Sequence, residues 1–133
     1  HKDVSIVNTE KNQNNRLFGK KQESHAAAYL NKKGLKLIQS NYQCRRGEID
    51  LVMIDNQQQL VFVEVRYRSR QSFGTAVETI GRSKQQKIRS SAAYFLLENP
   101  EFQHLMCRFD VVGISPLPGS CRLRFDWIAN AFF

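Results

Sequence analysis

Residues 47–68, GEIDLVMIDNQQQLVFVEVRYR, contain two apolar runs of strand-forming residues on either side of a short polar segment. Valine, isoleucine and phenylalanine favour β-strands, so we predict a hairpin of strands 48–54 and 60–67 around DNQQQ. Three acids, Glu48, Asp50 and Glu64, lie within these apolar runs. Burial of a carboxylate costs free energy unless a partner compensates it, so this stretch constrains both the fold and the chemistry.

The register of the predicted hairpin decides which acids meet. Side chains alternate along a strand, and if Ile54 pairs with Leu60, then Asp50 lies opposite Glu64. The same register places Glu48 and Arg66 opposite each other. Directly opposed residues have Cβ atoms about 4.5–5.5 Å apart, where two like charges destabilise a sheet. The acidic pair therefore needs a proton, a basic partner or a cation.

A metal ion is one interpretation of the acidic pair. Oxygen ligands from Asp50 and Glu64, completed by the Val65 carbonyl, suit Mg²⁺ or Mn²⁺. Such an ion stabilises charge on a phosphodiester and lowers the pKa of a bound water. Glu23 lies at the edge of an apolar helical stripe with Ala26 and would extend this site.

Salt bridges are the other interpretation, and the residues alone leave both open. Glu48 and Arg66 are explained by a cross-strand ion pair, and Asp50 and Glu64 would each pair with a base such as Lys84. Asp110, in RFDVV, is expected to tie the sheet together rather than to bind a ligand.

Periodicity and turn residues outside the hairpin predict the remaining elements. Residues 1–15 are polar and aperiodic, which favours a flexible N-terminal arm before a single domain of residues 16–133. We predict helices and strands in the order α-β-β-β-α-β-β, with the remaining elements at 17–33, 35–42, 83–98, 107–114 and 121–128. This order is typical of an α/β fold with a mixed central sheet of about five strands flanked by helices.

The net charge of +8 is distributed unevenly. Residues 1–46 carry ten Lys and Arg and residues 66–89 carry seven, whereas residues 47–65 carry four acids and no base. An acidic segment between basic ones suits a polyanion whose phosphates approach a cation site, although a solvated basic surface has the same composition. Three cysteines without metal-ligand spacing, and the lack of a membrane-length apolar run or a signal pattern, favour a cytoplasmic protein without a membrane partner.

Several spaced motifs resemble one family, over about residues 17–133. GKKQESHAAAYL, NYQCRRGEIDLV, VFVEVRYR, FGTAVETIGRSKQQKI and RFDVVGI resemble, in order, segments of the YraN-type family of small bacterial proteins. That family resembles the restriction-endonuclease-like superfamily, close to archaeal Holliday-junction resolvases. The resemblance implies an endonuclease-like core, which agrees with the order of elements above.

The resemblance also implies roles for particular residues. The superfamily site consists of an acid, a spacer and acid-x-Lys, with a further helix glutamate in the resolvase branch, and these acids fall on Asp50, Glu64 and Glu23. The motif lysine falls on Arg66, and there the chain departs from the pattern, since an arginine stays protonated and cannot act as a base. Lys84 matches a family lysine and could point toward the same site.

Two functions follow from these expectations. The first is a Mg²⁺- or Mn²⁺-dependent endonuclease on DNA, including structured DNA, and the second is a DNA- or RNA-binding module that keeps the scaffold without the chemistry. Resolvase relatives imply a homodimer. In either case we expect basic side chains to hold the nucleic-acid backbone, without reading its sequence, at Arg45, Arg46, Arg68, Arg70, Arg82 and Lys87.

Overall fold

The structure is a computed structural model that describes residues 2–69 and 80–133, with side chains from Gln13 onward. Its elements are α1 (Lys2–Lys32), β1 (Lys36–Cys44), β2 (Gly47–Ile54), β3 (Leu60–Tyr67), α2 (Arg82–Glu98), β4 (Cys107–Pro116) and β5 (Leu123–Phe132), with a 3₁₀ turn at Pro100–Phe102. This order confirms the predicted α/β fold and the predicted sequence of elements.

The five strands form one mixed sheet in the order β1-β2-β3-β4-β5. β3 and β4 run parallel and the other neighbouring pairs are antiparallel. A parallel pair needs a crossover connection, and α2 lies within the connection between β3 and β4. The hairpin register is confirmed, because Ile54 pairs with Leu60.

The two helices cover opposite faces of the sheet, so β3 is buried on both sides. On one face Ala26 and Leu30 of α1 pack with a cluster that includes Val61 and Val63. On the other face Phe95 of α2 packs with a cluster that includes Phe62. Central strands covered on both faces read as continuous apolar runs, which accounts for the sequence LVFV.

The C-terminal end of α1 lies where the sequence predicts it, whereas the N-terminal end lies earlier in the chain than predicted. The helix begins at Lys2, so residues 2–15, assigned above to an arm, continue α1. Its other end follows the prediction, because Gly34 has a φ of +101° and ends the helix. A Cβ at Gly34 would also lie 2.7 Å from Asn56 Nδ2, so a larger residue would meet both backbone strain and a close contact. None of the helices in the described ranges is long and apolar enough to cross a membrane.

Candidate functional site

The sheet forks between β2 and β3, and the predicted acids lie at this fork. The β2–β3 ladder runs from Ile54–Leu60 to Leu51–Val63, after which β2 continues along β1 and β3 continues along β4. Asp50 is the first residue of β2 beyond this ladder, and it lies between Ile49 and Leu51, which both pair with β1. Its Oδ2 accepts a hydrogen bond of 2.8 Å from the Val65 N–H, which replaces the next rung of the ladder.

Glu64 of β3 lies at the fork, and Lys84 of α2 lies near its carboxylate. Glu64 is only 6% exposed. Arg66 Nε and Lys84 Nζ lie 3.7 Å and 3.9 Å from Glu64 Oε1. Both distances exceed that of a direct hydrogen bond, so the two cations attract Glu64 without closing over it. Arg66 Nε is itself buried and makes no hydrogen bond.

α1 contributes a third carboxylate to the fork. Gln22, Ala26 and Leu30 bury one face of the helix, and this packing holds the half-buried Glu23 beside β2. Glu23 shares a hydrogen bond with Asp50. Burial, followed by the charge of Asp50, raises the pKa of Glu23 to about 7. This hydrogen bond raises the pKa of Glu23 and lowers that of Asp50, so a proton shared by the pair lies preferentially on Glu23.

The same crowding of negative charge acts on the other two acids. Burial, and then the charge of Asp50, raises the pKa of Glu64 to about 7, although Lys84 and Arg66 oppose the shift. Burial also raises the pKa of Asp50, with the Val65 N–H working in the opposite direction. The three carboxylates thus have too little compensating positive charge around them, and a bound cation would reduce the repulsion among all three.

One predicted contact at the fork is wrong. Glu48 was expected opposite Arg66, but β2 has left β3 at that point, and Glu48 pairs with Gln43 of β1 instead. The alternation of β2 also breaks at Asp50, because Ile49 packs toward α2 with Val52. Glu48 therefore faces the α1 side of the sheet, while the ion pair of Arg66 is made with Glu64.

The Val65 carbonyl faces the fork as well. In an extended strand, the N–H and C=O groups of one residue point toward the same neighbouring strand. The Val65 N–H points at Asp50, so its carbonyl also faces the β2 side, beyond the last β2–β3 pair at Leu51 and Val63. A neutral oxygen ligand is thus available beside the two acids.

The donors at the fork fit a hard divalent cation. Carboxylate and carbonyl oxygens are the ligands that Mg²⁺ and Mn²⁺ prefer. Within residues 2–69 and 80–133, no three His, Cys, Asp or Glu side chains are grouped as a metal site by themselves. Two protein side chains, those of Asp50 and Glu64, would therefore coordinate the ion. Water and phosphate oxygens would fill other coordination positions, as is usual for Mg²⁺.

Sequence comparison identifies the family. Residues 22–114 match the uncharacterised protein family UPF0102, a stretch that contains all three acids of the fork and Lys84. The chain belongs to this family. This confirms the resemblance to the YraN-type proteins on which the site assignment was based.

Individual UPF0102 proteins match over almost their whole length. A UPF0102 protein of Alcanivorax borkumensis is 43% identical over 115 residues, which cover 86% of this chain and 90% of that protein. One of Ectopseudomonas mendocina is 46% identical over 115 residues, covering 86% and 93%, respectively. One of Pseudomonas paraeruginosa is 43% identical over 119 residues, covering 90% and 94%.

Three of the basic residues predicted to hold nucleic acid lie together at one end of the sheet. Arg45 and Arg46 form the exposed turn between β1 and β2. Lys87 of α2 lies beside that turn, because a Cβ at Gly47 would be 3.6 Å from Lys87 Cβ. This UPF0102 chain therefore presents a local group of cations on the α2 side, whose role stays a prediction.

The other three predicted basic residues are spread along the rest of the chain. Arg82 is the exposed first residue of α2, two positions before Lys84. Arg68 follows β3, and its backbone N–H donates to the Ile114 carbonyl at 2.8 Å. Arg70 lies outside the described residues.

A polar pocket that the sequence patterns did not predict lies next to the fork. The pocket has a volume of about 440 Å³ and is lined in part by Arg16 and Lys20 of α1 and by Asn41 and Gln43 of β1. Arg16, Lys20 and Glu23 are spaced by four and three residues, which places them on one face of a helix. That spacing was the available signal, although a basic helical segment is more often a solvated surface.

Asp110 forms a second acidic centre with a different environment. It is fully buried, and Trp127 Nε1 and the Asn130 N–H donate to its two oxygens, each at 2.9 Å. Arg108 Nε donates to it at 3.1 Å, and Arg108 Nη1 reaches Asp55 in the β2–β3 turn at 2.8 Å. These bonds join β4 to β5 and to the hairpin, which confirms the prediction that Asp110 ties the sheet.

Proposed function

We propose that this chain is a divalent-metal-dependent phosphodiesterase that cleaves nucleic acid, with DNA as the substrate that the family resemblance implies. The observation that carries the proposal is the convergence of Asp50 and Glu64 at a fork in the sheet, where burial raises the pKa of both acids and the charge of neighbouring carboxylates raises them further. Structural carboxylates in a protein interior are normally matched by donors. Two acids left short of positive charge are the arrangement expected of a cation site.

The protein ligands of the ion would be Asp50, Glu64 and the Val65 carbonyl. When bound, Mg²⁺ supplies positive charge to phosphate oxygens and lowers the pKa of a coordinated water. The hydrogen bond from the Val65 N–H fixes the orientation of Asp50 before any ion binds. Such an outer contact keeps a ligating carboxylate in place and limits its loss of side-chain entropy on binding.

The cations and Glu23 would handle the charge and the proton of hydrolysis. A water oxygen forms a bond to phosphorus, one P–O ester bond breaks, and the products are a phosphate end and a hydroxyl end. With a pKa of about 7, Glu23 is ionised in part of the molecules at neutral pH, and in that form it can take up the proton that the water loses, while solvent protonates the leaving oxygen. Lys84 and Arg66 flank Glu64 and would stabilise the negative charge that develops on the phosphate.

Cleavage assays test this proposal directly. The substrates are branched, flapped, single-stranded and duplex DNA, each incubated with Mg²⁺ or Mn²⁺ and with a chelator. We expect metal-dependent cleavage of at least one of them, reduced at least about 100-fold in Asp50→Asn, the size usually seen when a group acting in the transition state is removed. Asp126→Asn is the matched control, because Asp126 is an exposed acid of β5 that pairs with Arg124. A full panel left intact in Mn²⁺ would contradict the proposal.

A binding module without catalysis is the second candidate, and Arg66 is the observation that favours it. An arginine stands where the superfamily motif has lysine, and it already pairs with Glu64. This candidate predicts nucleic-acid binding that weakens steeply with salt and is unchanged in Asp50→Asn. Binding that instead depends on Mn²⁺ and on Asp50 would exclude it.

A further inference from the structure

The polar pocket beside the fork has two walls of different origin. α1 contributes Arg16, Gly19 and Lys20, and Glu23 at the end nearest the fork. The strands contribute the opposite wall, which consists of Asn41, Gln43 and Glu48. The volume of about 440 Å³ lies within the range of pockets that hold a small molecule, about 300–1,000 Å³.

The alternation of side chains along β1 explains why two amides line the pocket. Tyr42 packs against Phe95 on the α2 side of the sheet, so its neighbours Asn41 and Gln43 face α1. Asn41 has a φ of +52°, a conformation that asparagine tolerates better than most residues. Gln43 Nε2 lies 3.5 Å from Asn41 Oδ1, which places two carboxamides side by side at the pocket.

The lining groups match the parts of a nucleotide. Arg16 and Lys20 are separated by one turn of α1 and suit a phosphate. Carboxamides such as Asn41 and Gln43 both donate to and accept from base edges, and a carboxylate such as Glu48 accepts from an exocyclic amino group. None of the described residues that line the pocket is aromatic, so hydrogen bonds rather than stacking would retain a base here.

Glu23 connects this pocket to the proposed catalytic centre. It lines the pocket and shares a hydrogen bond with Asp50. A strand whose phosphate lies at Asp50 and Glu64 would therefore place a neighbouring nucleotide at the pocket.

We propose that the pocket receives one unpaired nucleotide of the strand bound at the fork. The inference rests on the proposed function and adds the substrate class, which is nucleic acid with an unpaired segment beside the bound phosphate. In a duplex the Watson–Crick edges are already paired, so the amides of the pocket can bond to them only when the base is free. The same amides make little contact with a blunt duplex.

Binding of matched hairpins tests the pocket separately from catalysis. The probes are one fluorescent DNA hairpin with a blunt end, the same hairpin with a 3′ tail, and the same with a 5′ tail, all measured in Ca²⁺ by anisotropy. We expect the chain to bind one tailed hairpin about tenfold more tightly than the blunt one, the effect of a well-made bidentate contact to a base. Asn41→Gly with Gln43→Ala should abolish this preference while the affinity for the blunt hairpin changes less than about twofold.

The controls use residues of the same elements outside the pocket. Gln39→Ala removes an exposed amide of β1, and Lys21→Ala removes an exposed cation next to Lys20. Both should keep the tail preference, whereas Lys20→Ala should weaken binding of the tailed hairpin. Gln43→Ala alone, at an exposed position, keeps the test valid if the double variant fails to fold.

The outcomes separate the two proposals. A tail preference that depends on Asn41 and Gln43 supports the pocket even if no substrate is cleaved. Equal affinity for blunt and tailed hairpins, or a preference that survives in Gln43→Ala and in the double variant, overturns the pocket even if cleavage depends on Asp50.

Discussion

The chain contains two acidic centres, on neighbouring strands of the sheet, and they differ in the kind of partner that surrounds the carboxylates. Asp110 is fully buried with N–H donors from Trp127 and Asn130 and a guanidinium from Arg108. Among the described residues, Asp50 has one N–H donor, from Val65, and apart from Lys84 its charged neighbours are other acids. Burial alone therefore does not mark a functional acid. The supply of positive charge and donors distinguishes a tie within the sheet from a candidate cation site.

The cations at the two centres, Arg108 and Lys84, differ in how firmly their partners hold them. Arg108 makes hydrogen bonds of 2.8–3.3 Å to Asp55, Gln59 and Asp110. Lys84 lies 3.9 Å from Glu64, and its side chain is 36% exposed. Arg108 is thus fixed by its partners, while Lys84 is free to reach toward a ligand.

Loss of Asp110, the acid that ties the sheet together, should have the largest effect on stability. In Asp110→Ala, Trp127 and Asn130 lose their acceptor and Arg108 keeps only part of its compensation. The free energy of unfolding should fall by about 3–5 kcal/mol, the usual cost of breaking a buried ion pair. Urea denaturation measures this, with Asp126→Ala as the exposed control, expected within about 0.5 kcal/mol of wild type. A similarly small effect in Asp110→Ala would remove the distinction between the two centres.

Loss of the cation at the proposed catalytic centre should affect activity and leave stability nearly unchanged. Lys84→Ala should lower the rate of DNA cleavage about 10- to 100-fold, since a charge near the scissile phosphate is removed. Its unfolding free energy should change by less than about 1 kcal/mol, as for other partly exposed ion pairs. If neither DNA binding nor cleavage changes, Lys84 has no role at the site.

The acids at the fork should also make stability depend on pH, with a smaller effect. Glu23 and Glu64 have folded-state pKa values of about 7 against ordinary values of 4.5. Protonation favours the folded state, so their contribution is complete below pH 4.5 and is lost as the pH rises through about 7. In a chelator, Glu64→Gln should gain stability relative to wild type across this window, as followed by thermal unfolding. A constant difference between the two proteins would contradict the raised pKa of Glu64.

Much of the fold was predictable because its determinants are local. The turn residues of 55–59 fixed the hairpin register, and the apolar runs on each side identified buried strands. The face of Glu48 was not predictable from alternation, because β2 stays paired with β1 but loses its pairing with β3 beyond Leu51, and the alternation breaks at Asp50. The N-terminal half of α1 lacks an apolar stripe, so periodicity could not identify it as a helix.

The candidate site was predictable in part for related reasons. The register and the family motif both indicated Asp50 and Glu64, and the structure places both residues at the fork, while their role stays a prediction. The hydrogen bond between Glu23 and Asp50 depends on how α1 packs across the sheet, which no local pattern specifies. Asn41 and Gln43 were missed because amides in an exposed strand carry no spacing signal of their own.

Isothermal titration of the metal-free chain with Mn²⁺ tests the central claim most directly, because it asks whether the acids at the fork bind a cation. Wild type should bind at a specific site and release protons on binding, since Glu23 and Glu64 hold protons near neutral pH. That site should be lost in Asp50→Asn and in Glu64→Gln and kept in Asp126→Asn. Absence of specific Mn²⁺ binding in wild type, or binding that persists in Asp50→Asn, would contradict the account.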